Sequence, residues 1–133
     1  MKARIFGAGS IGNHLSHALR KLNYDVEVID IDKNALARMK DQIYPLRYGK
    51  WDEKIILLEK PTNSFVDIEI IGTPPDTHAN LLIERLKINN SKYWLVEKPF
   101  TIPDTFHISE LENSLLDHKE RIFVGYNHSV SPA

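Results

Sequence analysis

Gly7-Ala8-Gly9-Ser10-Ile11-Gly12 is the stretch that decides the fold, because it has the form G-x-G-x-x-G and joins a short apolar run to a helical pattern. The first glycine of such a pattern lets the chain leave a strand in a tight turn, and the second leaves the backbone open to a close approach. The third lets the following helix pack against the strand. Free N–H groups and the positive end of the helix dipole then face an anion. The stretch therefore predicts a turn that holds the pyrophosphate of a dinucleotide.

Asp30 comes 18 positions after the last glycine of that pattern, at the end of a second apolar run, 26–29. A carboxylate at this place can accept hydrogen bonds from the 2′- and 3′-hydroxyls of an adenosine ribose, and it repels a 2′-phosphate. Asp30 therefore favours NAD over NADP, although Lys33 weakens the argument against NADP. Asp32 competes for the same role. The alternative is that Asp30 or Asp32 caps a helix that starts near Asn34, and one of the two is expected to do so.

Apolar runs alternate with amphipathic stretches along the chain, which is typical of an α/β fold with a parallel sheet. Strands are predicted at 3–6, 26–29, 66–71, 93–96 and 122–124, with a short edge strand within 44–49. Helices are predicted at 11–22, 34–40, 52–60, 77–87 and 103–115. All 133 residues are expected to form one domain. The predicted fold is a doubly wound parallel sheet, a Rossmann fold of about six strands with helices on both faces.

Glu69 does not fit this pattern. It stands inside the predicted strand 66–71, and a strand that is covered on both faces should be almost wholly apolar. Nothing in the sequence accounts for a carboxylate at this position.

The composition excludes several classes of protein. The formal net charge is −1, so no basic surface argues for a nucleic-acid partner. No run of about 18 apolar residues is present, so no membrane span is expected, and the N-terminus lacks the features of a signal peptide. The chain has no cysteine, which excludes disulfides and thiolate chemistry and is compatible with a cytoplasmic location. No histidines and carboxylates have convincing ligand spacing, so no metal is predicted.

Distinctive residues follow the later strands at their carboxyl ends, where ligands bind to an open parallel sheet. These groups are Thr73-Pro74-Pro75, Glu97-Lys98-Pro99 and Tyr126-Asn127. His78 comes shortly after the first group and could contact a ligand. A local hydrogen bond at the start of a helix is the favoured interpretation of this histidine.

Lys98 is the best candidate for a catalytic residue. Its amino group can hydrogen-bond a substrate hydroxyl or carbonyl, and it can exchange the proton that accompanies hydride transfer if its surroundings favour the neutral form. Glu97 can bond a ribose hydroxyl or orient Lys98. From spacing alone, however, a solvated Glu97–Lys98 pair before a turn is the favoured interpretation.

Taken in order, these motifs resemble those of the glucose–fructose oxidoreductase / inositol dehydrogenase (Gfo/Idh/MocA) family. The resemblance covers essentially the whole chain, and Glu-Lys-Pro after the fifth strand is the most specific motif of that family. The motifs that carry it are 7–12, Asp30, Thr73-Pro74-Pro75-Asp76-Thr77-His78, Glu97-Lys98-Pro99 and Gly125-Tyr126-Asn127.

The resemblance implies a catalytic role for Lys98, and it implies that residues after the later strands line the ribose and nicotinamide of NAD or NADP. Together with the glycine turn and the end of the second strand, the candidate cofactor-binding residues are Gly7, Gly9, Ser10, Ile11, Gly12, Asp30, Ile31, Thr73, Pro74, His78, Glu97, Lys98 and Asn127.

The chain also departs from the family. Members usually continue into a second α/β domain that carries substrate contacts, and this domain is expected to be absent here. His128 and Ser129 stand where members commonly have two arginines. The resemblance therefore implies that 1–133 is the NAD(P)-binding domain of an oxidoreductase that acts on a sugar, a cyclitol or a related polyol.

Two other functions are compatible with part of the pattern. One is a non-catalytic module that binds a dinucleotide or associates with itself. The other is a methyltransferase, because adenosylmethionine-binding folds share a glycine-rich turn and an acidic end to the second strand; the Thr-Pro-Pro and Glu-Lys-Pro strand ends argue against it. An exposed flank of the sheet, which the second domain would normally cover, is expected to favour a homodimer.

Overall fold

The computed structural model describes residues 1–97 and 116–125. Within these ranges the strands are β1 (Lys2–Phe6), β2 (Asp25–Ile29), β3 (Ile55–Leu58), β4 (Val66–Ile71), β5 (Ser91–Glu97) and β6 (Ile122–Gly125). The helices are α1 (Ser10–Lys21), α2 (Lys33–Arg38), α3 (Tyr44–Tyr48) and α4 (His78–Ile88), with a π-helical turn at Met39–Ile43 and 3₁₀ turns at Pro75–Thr77 and Lys119–Arg121. None of the helices in these ranges is long and apolar enough to span a membrane. The predicted helix at 103–115 lies outside the described residues.

The strands form one sheet in the order β3-β2-β1-β4-β5-β6, and every neighbouring pair is parallel. This confirms the predicted doubly wound sheet. The strand order reverses between β1 and β4, so the chain turns away from the middle of the sheet in both directions. In sheets of this kind, ligands bind outside the carboxyl ends of the strands at that point.

Helices cover the two faces of the sheet. On one face, α1 and the segment from α2 to α3 pack around the buried side chains of Ile5, Val28 and Met39. On the other face, α4 packs around Phe6 and Ile71. The sheet therefore divides the core into two apolar layers. The carboxyl ends of the strands lie between these layers, where a binding site can form.

The predicted edge strand within 44–49 is wrong, because Tyr44–Tyr48 forms α3. Pro45 stands in the first turn of this helix, directly after the π-helical turn Met39–Ile43. Tyr44 is buried against Trp51, with ring centroids 5.0 Å apart. The aromatic contacts between α3 and its neighbours favour the helix over an extended chain.

The predicted helix at 52–60 is also wrong, because Ile55–Leu58 forms β3 and pairs with β2. Ile55 is buried, and Ile56 is largely exposed, as expected for a strand at the edge of the sheet. A run of four apolar residues fits a strand or a helix equally well by periodicity. Pairing with β2 decides between them.

Glu69 is explained by polar side chains that stand side by side across the sheet. In the strand register, Arg4 of β1 lies opposite both Glu27 of β2 and Glu69 of β4, and Glu69 lies opposite Trp94 of β5. Arg4 Nε is 2.5 Å from Glu27 Oε1, and Arg4 Nη1 is 2.5 Å from Glu69 Oε2. Trp94 Nε1 donates a hydrogen bond to Glu69 Oε1 at 2.9 Å.

Arg85 of α4 completes this arrangement, because its Nη2 lies 2.6 Å from Glu69 Oε2. We refer to Arg4, Glu27, Glu69 and Arg85 as the charged row. All four side chains are buried, and the two positive charges balance the two negative ones. A buried charge costs several kcal/mol unless it is paired, so a carboxylate is tolerated in β4 only because its partners are present.

Candidate functional site

Gly7 makes the turn that ends β1. Its φ is +112°, a conformation that residues with a side chain rarely adopt. Its N–H donates to the carbonyl of Ile29 at 2.8 Å. A Cβ at Gly7 would lie 2.7 Å from the carbonyl oxygen of Gly72, so no side chain fits. The turns after β1 and β4 therefore pack backbone against backbone at the point where the strand order reverses.

Gly12 and Gly9 differ in the space around them. A Cβ at Gly12 would collide with the carbonyl oxygen of Gly7, so α1 can begin this close to the turn only with a glycine here. A Cβ at Gly9 would meet no heavy atom of the described part of the chain within 4 Å. Within 1–97 and 116–125, the space beside Gly9 that the sequence assigns to phosphates is therefore open.

The N-terminus of α1 is suited to an anion. Its first turn contains no acidic residue, and Gly9, the N-cap, supplies no side-chain hydrogen bond. Asn13 is the residue whose N–H bonds to the Gly9 carbonyl, at 2.9 Å, so the N–H groups of Ser10, Ile11 and Gly12 have no partner within the helix. The positive end of the helix dipole adds to their attraction for negative charge.

Two residues that the sequence analysis missed support this turn. The buried side chain of Asn13 donates from Nδ2 to the carbonyl of Gly9 at 2.9 Å and lies 3.4 Å from that of Ala8. Arg47 of α3 donates from Nη1 to the Ser10 hydroxyl at 2.7 Å, which brings a positive charge to the start of α1. Arg47 could not be placed there because 44–49 was predicted as a strand.

Asp30 and Asp32 have different roles. Asp30 Oδ2 accepts the N–H of Ala8 at 3.0 Å, and its Oδ1 accepts the N–H of Asp32 at 2.9 Å. Asp32 caps α2 by accepting the N–H of Asn34 at 2.9 Å. The interpretation that one of the two caps the helix is confirmed for Asp32. Because a carboxylate oxygen has two lone pairs, Asp30 can still accept further donors from a ligand.

A cleft of about 1000 Å³ opens at the carboxyl edge of the sheet, a size in the range of small-molecule sites. Phe6 and Ile29 line it from the ends of β1 and β2, and α4 lines the far side. The predicted site residues that the cleft brings together are Gly7, Gly9, Asp30, Ile31, Thr73 and Pro74. Arg38, Asn80 and Leu81 also line the cleft, and no motif in the sequence distinguishes them.

His78 and Glu97, two of the predicted cofactor-binding residues, are not among the described residues that line the cleft. His78 is 1% exposed, and its Nε2 donates to the carbonyl of Thr73 at 2.5 Å. The local hydrogen bond favoured for His78 is therefore confirmed. Glu97 is 7% exposed at the end of β5. Burial raises the pKa of the Glu97 carboxyl above its ordinary value, and the nearby His78 opposes part of that effect.

Lys98 and Asn127 lie outside the described residues, and their assigned roles stay predictions. Over 1–97 and 116–125, no three side chains of the metal-binding types are grouped in a way that could hold a metal ion.

A doubly wound parallel sheet, a glycine turn that opens a helix where the strand order reverses, and a carboxylate at the end of β2 define a dinucleotide-binding Rossmann domain. The chain belongs to the TrkA-N domain family, whose sequence profile matches residues 3–98. The matched residues include the glycine turn, Asp30 and strands β1 to β5. A comparison with curated proteins gives no match.

The same fold occurs in solved oxidoreductases. Myo-inositol 2-dehydrogenase from Lactobacillus plantarum matches with a TM-score of 0.67 and 17% identity over 94% of this chain and 36% of its own. A diketoreductase matches with a TM-score of 0.66 and 14% identity, over 97% of this chain and 51% of its own. An NAD binding oxidoreductase from Klebsiella pneumoniae matches with a TM-score of 0.62 and 16% identity, over 100% of this chain and 36% of its own. The likeness confirms, for the fold, the resemblance that the motifs predict, and the chain spans 36% to 51% of these proteins.

Proposed function

We propose that the chain binds NAD and serves as the cofactor-binding part of an oxidoreductase that works by hydride transfer. The observation that carries the proposal is the open space over Gly9 at the N-terminus of α1. No side chain of the described residues fills this space, and no carboxylate in the first turn of α1 opposes a negative charge. The Arg47 guanidinium on Ser10 adds a positive charge at the same place. A pyrophosphate fits these surroundings in both shape and charge.

The cleft supports a direction for the bound dinucleotide. Asp30 lines the cleft at the end of β2 and would accept the hydroxyls of the adenosine ribose. Ile31, which is 88% exposed, and Leu81 of α4 offer apolar surfaces from the two sides of the same cleft. With the adenosine there and the pyrophosphate at α1, the nicotinamide half extends towards the ends of β4 and β5.

The reaction is proposed to involve Lys98, which follows β5. The nicotinamide ring, when bound, supplies the hydride acceptor, and Lys98 would hydrogen-bond the substrate oxygen and exchange its proton. A sugar, cyclitol or related polyol is the proposed substrate. The Glu-Lys-Pro motif supports this, and one of the structurally similar proteins is named as a dehydrogenase of myo-inositol.

Gly9→Asp is expected to weaken NAD binding by about a hundredfold while the fold is kept. The new carboxylate stands where the pyrophosphate would lie and repels it, an effect worth several kcal/mol. Asp is also a favoured N-cap residue, so the melting temperature should not fall. Calorimetric titration with NAD and thermal unfolding measure the two effects. Failure of the unaltered chain to bind NAD, or tighter binding of S-adenosylmethionine, would contradict the proposal.

Asp30→Asn is expected to weaken NAD binding by about tenfold to a hundredfold and to reduce the preference for NAD over NADP. A neutral amide is a weaker acceptor for the ribose hydroxyls and no longer repels a 2′-phosphate. The matched control is Asp32→Ser, which removes a nearby charge but keeps a residue able to cap α2. Titrations with NAD and NADP side by side give the ratio of the two Kd values. An equal change of that ratio in both variants would assign the effect to charge in general.

A further inference from the structure

The connection between β3 and β4 forms one wall of the cleft. It consists of residues 59–65, which we call the strap, and these residues form neither a helix nor a strand. The N–H of Asp30 donates to the carbonyl of Leu58 at 3.0 Å, so the strap begins beside the carboxylate at the end of β2. The first three residues of the strap, 59–61, line the cleft. The strap therefore bounds the end of the cleft where the proposed function puts the adenosine.

Arg4 links the strap to the sheet. Its Nε and Nη1 bind the carboxylates of Glu27 and Glu69, and its remaining nitrogen, Nη2, binds the strap. Nη2 donates to the Ser64 carbonyl at 2.6 Å and to the Thr62 hydroxyl at 3.2 Å. The Thr62 hydroxyl in turn donates to Glu27 Oε1 at 3.1 Å. Thr62, which directly follows the residues that line the cleft, is thus bonded to two members of the charged row.

The charged row also reaches the opposite wall of the cleft. Arg4 Nη1 and Arg85 Nη2 both bind one atom, Glu69 Oε2, at 2.5 and 2.6 Å. Arg85 of α4 lines the cleft, and its guanidinium carbon lies 5.1 Å from the ring centroid of Phe6, which also lines the cleft. Charge-assisted hydrogen bonds are short and directional, so they hold their partners in a defined geometry. A continuous path of polar contacts therefore runs from Thr62 to Arg85 and connects the two walls.

We propose that Thr62 is a positioning residue for the adenosine half of the cofactor, because it holds the strap in place relative to α4 and so keeps the width of the cleft in the free protein. This inference rests on the proposed function, which places the adenosine between these walls. Thr62 is not among the described residues that line the cleft, so it acts through the strap and not by contact with the ligand. A wall that is fixed before binding lowers the cost of ordering the site when the ligand arrives.

Removal of the Thr62 hydroxyl is expected to free the start of the strap and to leave the fold intact. Thr62 is only half-buried, and Arg4 keeps two carboxylates and the Ser64 carbonyl as partners. The apparent affinity of a ligand falls with the fraction of molecules that are in the binding-competent conformation. If the strap is in place in about one molecule in ten, the Kd of NAD rises about tenfold.

The experiment compares variants with and without a hydroxyl at this position. Thr62→Val and Thr62→Ala remove it, and Thr62→Ser keeps it. Calorimetric titration with NAD and with ADP, well below the melting temperature of each variant, gives the Kd values. We expect both Kd values to rise about tenfold in the valine and alanine variants and to return to within about twofold of the unaltered chain in the serine variant. Because ADP and NAD share the adenosine, the ratio of the two Kd values should stay constant.

Asn63→Ala is the matched control, because it alters the next, exposed residue of the strap and keeps the Thr62 hydroxyl. Its Kd values should stay within about twofold of those of the unaltered chain. Unchanged Kd values in both variants without the hydroxyl overturn the inference and leave the proposed function intact. Equal weakening in Asn63→Ala, no recovery in Thr62→Ser, or a loss confined to NAD also overturns it. Absence of NAD binding by the unaltered chain overturns both the inference and the proposed function.

Discussion

Glu69→Leu is expected to lower the free energy of unfolding by about 3–5 kcal/mol. Glu69 accepts hydrogen bonds from Arg4, Arg85 and Trp94, and all three donors are buried. Leucine has a similar size but leaves two buried guanidinium groups with one carboxylate, that of Glu27. Urea unfolding followed by circular dichroism measures the loss.

The double variant Glu69→Leu/Arg85→Leu separates the charge imbalance from the packing. It removes one charge of each sign and leaves Arg4 paired with Glu27. It should be more stable than Glu69→Leu alone, because replacement of a whole buried ion pair by apolar side chains is often close to neutral. A loss of less than about 1 kcal/mol in Glu69→Leu, the range of an exposed pair, would contradict the role given to the charged row.

Gly12→Ala is expected to destabilise the protein by about 3 kcal/mol, at the upper end of the range for overpacking. The added Cβ collides with the carbonyl oxygen of Gly7, so α1 must move away from the turn. Elsewhere inside a helix, alanine stabilises the helix by about 1 kcal/mol relative to glycine. A loss of stability in Gly12→Ala would therefore be opposite in sign to the effect of helix propensity. Chemical unfolding measures it, and the displaced helix should also bind NAD more weakly.

The matched control for this prediction is Gly9→Ala. The new methyl group meets no heavy atom of the described residues within 4 Å, and the φ of Gly9 is −83°, which any residue adopts. Its stability should therefore stay within about 0.5 kcal/mol of the unaltered chain. Equal stability losses in the two variants would show that the collision with Gly7 is not the cause.

The glycine turn and the position of Asp30 at the end of β2 could be predicted from the sequence because both depend on local backbone chemistry. A tight turn, a close helix start and a carboxylate at a strand end follow from residue type and spacing. The different roles of Gly9 and Gly12 also agree with the space that the structure leaves around each. The doubly wound parallel sheet also followed from the βαβ pattern and the handedness of crossovers.

The segment between β2 and β4 could not be predicted in the same way. Pro45 is equally acceptable at the start of a helix and in an edge strand, so the residue alone does not decide. The burial of Tyr44 and the pairing of Ile55–Leu58 with β2 decide, and both are tertiary contacts.

The position of Glu69 also depends on contacts between residues far apart in the sequence, and here those contacts are between charges. A carboxylate in a covered strand contradicts the local pattern. Its partners Arg4 and Arg85 stand 65 and 16 positions away in the sequence. Pairing over such distances cannot be read from spacing.

The ion pairs of the charged row also fix where each strand ends relative to its neighbours in the sheet. On three strands, a member of the charged row stands three positions before a residue that lines the cleft: Arg4 before Gly7, Glu27 before Asp30 and Glu69 before Gly72. A strand that slipped by one residue would shift its end by about 3.3 Å and turn its charge to the opposite face. The charged side chain would then lie without its partner in the apolar layer on the other face of the sheet. The buried charges thus hold in register the three strand ends on which a nucleotide would rest, about 10 Å away.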